Sequence, residues 1–297
     1  MLSILIPTYN YSVVNLVNQV HKQAKEAAIV FEIIVVDDFS TDLSIIEQNE
    51  NIKALEFCQL VKNKKNIGRT ASRNLLANIA QYELLLFLDA DVLPKNDDFI
   101  SRFNLNEKNK ISVIYGGICY YDEAPEKNHI LRWKYGKKRE AKSVSEREKE
   151  PHFIISQNLL INKAIFISTN SVNTNAYGLD ILFSYNLKTN KINVRQIDNP
   201  VYHLGLESNL SFIAKSLEAV KTTLKLEENN LIDTDLRPLQ KSYLKLKKLG
   251  LVTAFSFFIS FFKKIMERNF QSENPNLFWF DLYRLHYFIK LKKQKGA

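Results

Sequence analysis

The sequence predicts an α/β fold: a mostly parallel sheet flanked by helices and followed by a C-terminal helical extension. Two observations carry this. Short apolar runs alternate with helix-length segments through the first ninety residues, and from Ser208 onward the pattern is helical throughout. The runs 3–6, 32–36, 59–61 and 84–88 read as strands, and the second and fourth are β-branched or leucine-rich enough to be covered on both faces. Segments 13–28, 41–49 and 69–81 between them have helical length and spacing.

After Asp91 the rhythm changes. A strand is expected over 111–119, followed by the highly charged stretch 123–151, which contains Trp133-Lys134-Tyr135-Gly136. That stretch is too long for a simple connection, so it predicts a helix plus a mobile loop. Residues 153–161 return to the sheet, 180–187 form a short helix, and 192–197 with 201–202 close the sheet. Helices are expected over 210–228, 236–249, 251–266 and 277–292. The expected organisation is a domain over 1–207, divided into halves 1–95 and 96–207, and a helical, basic and aromatic extension over 208–297.

With 297 residues, 45% hydrophobic and 25% charged, the chain can bury a full core and is neither disordered nor fibrous in composition. Only Cys58 and Cys119 are present, which excludes a disulfide framework and a Cys-rich zinc site and makes a reducing, cytoplasmic setting the default. The apolar residues 1–7 carry no basic leader, so no secretory signal is expected. The net charge of +9 is unevenly spread: residues 236–297 hold 13 Lys and Arg against 3 Asp and Glu, whereas residues 1–235 hold 28 against 29. Twelve of the 34 aromatics lie within 255–288, and such asymmetry points to an anionic surface. Nucleic acid is set aside because no recognition module accompanies the charge.

The apolar run 251–262 is far shorter than the roughly 20 residues needed to span a bilayer. Phe255, Phe258, Ile259 and Phe262 have i, i+3, i+4, i+7 spacing with Lys263, Lys264 and Arg268 beyond, and Phe278, Leu282, Leu285 and Ile289 stand beside Lys290, Lys292 and Lys293. Basic amphipathic helices of this kind suit an anionic membrane surface. The same aromatics equally suit packing on the rest of the chain or a homodimer contact.

In a parallel α/β sheet ligands bind beyond the carboxyl ends of the strands, so the polar residues there are the candidates. They are Pro7-Thr8-Tyr9-Asn10, Asp37-Asp38-Phe39-Ser40 and Asp89-Ala90-Asp91, with Asn66-Ile67-Gly68-Arg69 opening a helix that also carries Arg73-Asn74. Asp38, Ser40 and Asp42 could instead cap the next helix. Asp89 and Asp91 are either turn residues or a repelling pair of the kind that a hard divalent cation compensates. The eight glycines permit neither a G-x-G-x-x-G dinucleotide loop nor a Walker A loop.

The segments 3–10, 34–42, 66–74 and 86–91, in this order and spacing, resemble the motif set of family 2 glycosyltransferases with the GT-A fold, of the bacterial glycan-assembly type. The resemblance covers about residues 1–205 and implies metal-dependent, inverting transfer from a nucleotide sugar, a UDP-sugar by preference, to a hydroxyl of a glycan or lipid-linked glycan. It implies that Pro7 and Tyr9 line the nucleobase pocket, that Asp38 accepts from the base edge and Arg69 reaches the base. Asp89 would lie near the ribose or sugar, and Asp91 would bind Mn2+ or Mg2+. Gln157-Asn158-Leu159-Leu160-Ile161 matches the segment under the donor sugar and acceptor. Tyr177-Gly178-Leu179-Asp180 occupies the place of the family's Gly-x-Glu-Asp element with leucine for glutamate, which leaves Asp180 as general base or as a helix cap.

His203 falls where such enzymes place a histidine near the metal or pyrophosphate, which would favour Mn2+; otherwise it is a buried hydrogen-bonded histidine. Trp133, with Arg132, Lys134, Lys137, Lys138 and Arg139 around it, would stack on an acceptor sugar or belong to a solvated helix face. The basic amphipathic helices, which a peripheral enzyme working on a lipid-linked glycan would use, suit a position at the inner face of the cell membrane. Three alternatives fit parts of the pattern. Loss of the glutamate at Leu179 suits a weak or inactive nucleotide-binding pseudoenzyme in an assembly complex. Asp89-Ala90-Asp91 alone suits a haloacid-dehalogenase-type phosphatase, and a receiver-type phosphoacceptor would use Asp37-Asp38 but leaves the later motifs without a role.

Overall fold

The computed structural model describes residues 1–105, 111–170 and 176–295. β1 (Leu2–Thr8), α1 (Val14–Glu26), β2 (Phe31–Asp37), α2 (Leu43–Glu50), β3 (Cys58–Lys62), α3 (Arg69–Ile79) and β4 (Leu84–Leu88) alternate as the apolar periodicity predicts. Then come β5 (Val92–Pro94), β6 (Val113–Tyr115), β7 (Ile118–Cys119), α4 (Ile130–Tyr135), α5 (Val144–Arg147), β8 (Asn158–Asn162), α6 (Lys163–Thr169), α7 (Asp180–Thr189), β9 (Val194–Gln196) and β10 (Val201–His203). The chain ends in α8 (Asn209–Glu228), α9 (Pro238–Lys248), α10 (Val252–Phe270) and α11 (Leu277–Lys295).

Seven strands form one sheet in the order β3-β2-β1-β4-β8-β6-β9. β3, β2, β1 and β4 are parallel, and β8 runs antiparallel to both β4 and β6. Thr8 pairs with Asp37 and Asp37 with Lys62, so the parallel strands end at one level. Every residue of β2 and β4 is buried, the pattern of strands covered on both faces. Glu32, buried inside β2, accepts on Oε1 from Ser3 Oγ at 2.6 Å and from Gln81 N at 2.6 Å, which offsets part of the cost of burying it, while Oε2 has no partner among the described residues. Leu5, Val36, Phe87, Tyr115, Leu159 and Phe183 belong to a single core cluster of this unit.

Three expectations are corrected. The apolar run over 111–119 is two strands, β6 and β7, in different sheets. It breaks at Gly116-Gly117, where Gly117 has φ +88° and a Cβ on Gly116 would come within 2.3 Å of Asn158 Nδ2. The return expected over 153–161 is a strand only from Asn158, and α6 follows it at once, opened by Asn162 accepting from Ala164 N at 2.9 Å. The charged stretch is two short helices separated by a π-helical turn over Gly136–Glu140. A small second sheet, β5-β10-β7, pairs β5 antiparallel with β10 and β10 parallel with β7.

The chain divides into two compact units, one of residues 1–120, 140–175 and 183–205, the other of 121–139, 176–182 and 206–297. In the second, Leu131, Phe212, Ile259, Phe270, Phe280 and Tyr283 form the core, with Phe255 and Phe262 packed against it. Three of the four residues expected to make a membrane-facing stripe on α10 are therefore on its inner face, and only Phe258 is exposed. Leu285 and Ile289 of α11 are likewise buried.

Candidate active site

The rim of the first unit is built where β1 and β2 end together. Asn10, at φ +49°, donates its N–H to Ser40 Oγ at 2.8 Å and accepts on Oδ1 from Thr41 N at 2.8 Å and Asp42 N at 3.1 Å, so it clasps the two loops. Asp42 is the cap of α2, accepting from Ser44 N at 3.0 Å and Ile45 N at 3.3 Å. Asp37 accepts from Ser40 N at 2.8 Å. Asp38 turns the other way: its carboxylate accepts from Asn63 Nδ2 at 2.8 Å, Ile67 N at 2.8 Å and Gly68 N at 2.7 Å. About three of its four acceptor positions are thus spent on the loop that delivers α3, which leaves one for a ligand. Pro7 lies within β1 opposite Val36, and Tyr9 and Phe39 are exposed aromatics flanking the clasp.

Arg69 and Arg73 are four residues apart on α3 and so share a face. Both reach Asp89 at the end of β4: Arg69 Nη2 to Oδ2 at 2.6 Å and Arg73 Nη2 to Oδ1 at 2.6 Å. Arg73 also donates to Ser156 Oγ at 2.5 Å and to the Ser156 carbonyl. Arg73 and Asp89 are buried, whereas the Arg69 side chain is 43% exposed, so Arg69 is the cation of this group that solvent reaches.

The antiparallel register of β5 and β10 sets His203 opposite Val92, next to Asp91. Asp91 Oδ2 lies 3.2 Å from His203 Nε2, and Leu204 N donates to the Asp91 carbonyl at 2.8 Å. A Cβ on Gly205 would fall 1.9 Å from Asp91 Oδ2, so only glycine leaves room for this carboxylate. The His203 ring is buried, edge-on to Tyr120 at 5.5 Å. Burial pushes the Asp91 carboxyl up, but the hydrogen bond and charge of His203, with Arg69, outweigh it and hold the carboxyl below its ordinary range. Burial, with the nearby Asp91 charge, raises the Tyr11 hydroxyl.

A carboxylate oxygen beside an imidazole nitrogen is a donor set that fits a divalent cation. Among the described residues no group of three or more His, Cys, Asp and Glu could hold a metal. Asp91 and His203 are the two side chains here that would hold such an ion.

Three further candidates remain. The Asn158 side chain is fully buried and donates to the carbonyls of Gly117 at 3.0 Å and Asn199 at 2.8 Å, so it ties strands together instead of lining the rim. Trp133 and Asp180 belong to the second unit. Trp133 Nε1 donates to the Tyr121 carbonyl at 2.9 Å and its ring lies 5.0 Å from Lys137 Nζ. Lys134, Lys138 and Arg139 line a cavity of about 480 Å3 with Asn274, Asn276 and Phe278. Asp180 is the first residue of α7, inside the helix and not its cap, set by a turn in which Gly178 has φ +91° and packs on Ala219. Sequence reasoning names Arg73 on α3 without giving it a role, and it misses Ser156 and Gly205. The four-residue spacing from Arg69 could have revealed the role of Arg73; nothing local marks the other two.

The family model for glycosyl transferase family 2 matches residues 3–174. This chain belongs to glycosyl transferase family 2. Among its family relatives, an uncharacterized glycosyltransferase of Haemophilus influenzae is 28% identical over 128 residues, 41% of this chain and 48% of the relative. The poly(ribitol-phosphate) beta-N-acetylglucosaminyltransferase TarS of Staphylococcus aureus is 35% identical over 109 residues, 35% of this chain and 18% of TarS. The matches thus span less than half of either relative. Among solved structures, the mannosyltransferase PcManGT of Pyrobaculum calidifontis, in complex with GDP-Man and Mn2+, superposes with a TM-score of 0.60 at 12% identity, covering 100% of this chain and 88% of that one. At that identity the likeness establishes the GT-A fold and nothing finer.

Proposed function

We propose that this chain transfers a hexosyl group from a nucleotide sugar, a UDP-sugar by preference, to a hydroxyl of a glycan or lipid-linked glycan with inversion. The Asp91–His203 pair, 3.2 Å apart at the rim that also holds Arg69 and Asp89, carries the reading. Asp91 and His203 would hold Mn2+ or Mg2+, which when bound supplies positive charge against the leaving diphosphate. Arg69 adds a second positive charge on the solvent side. Asp89, oriented by two arginines, keeps lone pairs for a ribose or sugar hydroxyl. Tyr9 offers a face to the base, and Asp38 keeps one acceptor position for its edge.

In the transfer itself, Asp180 takes the proton of the acceptor hydroxyl as the new C–O bond forms and the bond to the diphosphate breaks. No covalent sugar intermediate is needed. Lys134, Lys138 and Arg139 around their cavity suit an acceptor that bears phosphate. The names of two similar proteins support the substrate and metal classes alone: TarS acts on poly(ribitol-phosphate), and PcManGT holds GDP-Man with Mn2+. Leu179 in the place of the family glutamate favours one second reading, a nucleotide-binding protein with little turnover.

The test is a nucleotide-release screen over UDP- and GDP-sugars with and without Mn2+, using the wild type, Asp91→Ala and Asp180→Asn. Metal-dependent release that disappears in Asp91→Ala is expected. Asp180→Asn should keep nucleotide binding while transfer falls about 100-fold. Turnover indifferent to metal overturns the ion assignment, undiminished transfer in Asp180→Asn removes it as the base, and tight binding without release toward any acceptor supports the second reading.

A further inference from the structure

α10 is apolar on two faces. Its inner face, Phe255, Ile259, Phe262, Met266 and Phe270, is used up in the core of the second unit. A second stripe, Phe257, Phe258, Phe261 and Ile265, points outward: Phe257 is 79% exposed, Phe258 60% and Phe261 76%. Three neighbouring phenylalanines in water form a patch that calls for a cover, because aromatic rings of this size are expensive to leave hydrated. Lys264 and Arg268, three and seven residues beyond Phe261, are exposed on the same side of the helix, and neither has a carboxylate partner among the described residues.

We propose that this outer face of α10 docks on the surface of an anionic lipid bilayer, with the phenylalanines among the acyl chains and Lys264 and Arg268 at the headgroups. The proposal goes beyond the glycosyl-transfer reading and does not depend on it. Charge selects the occupant. Residues 236–297 carry 13 cationic against 3 anionic side chains, so a second copy of the chain would bring like charges together, whereas an anionic lipid surface complements them. Geometry selects the mode. No single helix of the described residues is long and apolar enough to cross a membrane, and α9 and α10 pass that test only as a pair bent by 119°. With its inner face committed to the protein, α10 can lie along a membrane plane but cannot be surrounded by lipid.

The experiment is vesicle flotation of the full chain with three preparations: wild type, Phe257→Ser/Phe261→Ser and Lys264→Glu/Arg268→Glu. Vesicles are either phosphatidylcholine with phosphatidylglycerol or phosphatidylcholine alone, at low and high salt, with size-exclusion chromatography alongside. The wild type should float with the phosphatidylglycerol vesicles, in a salt-sensitive manner, and at least about tenfold less with phosphatidylcholine alone. Each double variant should partition at least about tenfold less while keeping the wild-type circular dichroism, because all four substituted side chains are exposed. Equal flotation of the serine variant overturns the proposal. So does a wild type that ignores vesicles and elutes as a dimer that the serine variant splits, since a second copy would then be the cover.

Discussion

Gly205 and Arg73 show how the carboxylates of the rim depend on the residues packed against them. A methyl group on Gly205 overlaps the Asp91 carboxylate oxygen that faces His203, so Gly205→Ala should force the carboxylate to rotate away. The expected result is loss of metal-dependent nucleotide release with unchanged circular dichroism. Arg73→Met and Arg69→Met should separate stability from binding. The first removes the buried partner of Asp89, leaving only Arg69 among the described residues, and should cost about 3 kcal/mol in urea unfolding. The second removes a partly exposed partner and should cost about 1 kcal/mol or less while weakening nucleotide binding. At this scale the acidic residues were legible as a group, because they follow apolar strands in a parallel sheet. Their partners were not: Asp38 is engaged by backbone N–H groups 29 and 30 residues away, and Ser156 meets Arg73 only because β8 inserts beside β4.

Elements were read well where amphipathic period and length agree, as from β1 to β4, and poorly where strands are short. β5 has three residues and ends in proline, too little for any alternating pattern to register. The run over 111–119 is continuously apolar, and only its paired glycines mark the place where the chain leaves one sheet for another. α2 gives a clean test of local encoding, since Asp42 caps it and Glu50 at its far end is held by Lys53 at 2.5 Å. Asp42→Ala should lower stability by about 1 kcal/mol in urea titration, with no effect on nucleotide affinity. A larger loss would mean that the Asn10 clasp around it collapses as well.

For the molecule as a whole, the charge imbalance between the balanced 1–235 and the basic 236–297 was visible in composition, but which face of α10 is buried was not. A helix apolar on most of its circumference satisfies more than one period-based assignment, and tertiary packing makes the choice. Phe280 joins Phe212, Phe270 and Tyr135 through ring contacts at the centre of the second unit. Phe280→Ala should therefore destabilise that unit by about 3–5 kcal/mol, measured by thermal and urea unfolding. The small sheet has a less obvious dependence. Asn158 holds the carbonyls of Gly117 and Asn199, and Arg147 holds those of Tyr115 and Ile197 at 3.1 and 2.9 Å, so the segments entering β7 and β10 are fixed before either strand begins. A one-residue slip there would swing the imidazole to the opposite side of its strand. Damage to the concealed Asn158 amide, 45 residues before that imidazole in the sequence, would then present at the bench as weak ion affinity, with both groups proposed to hold the ion still in the sequence.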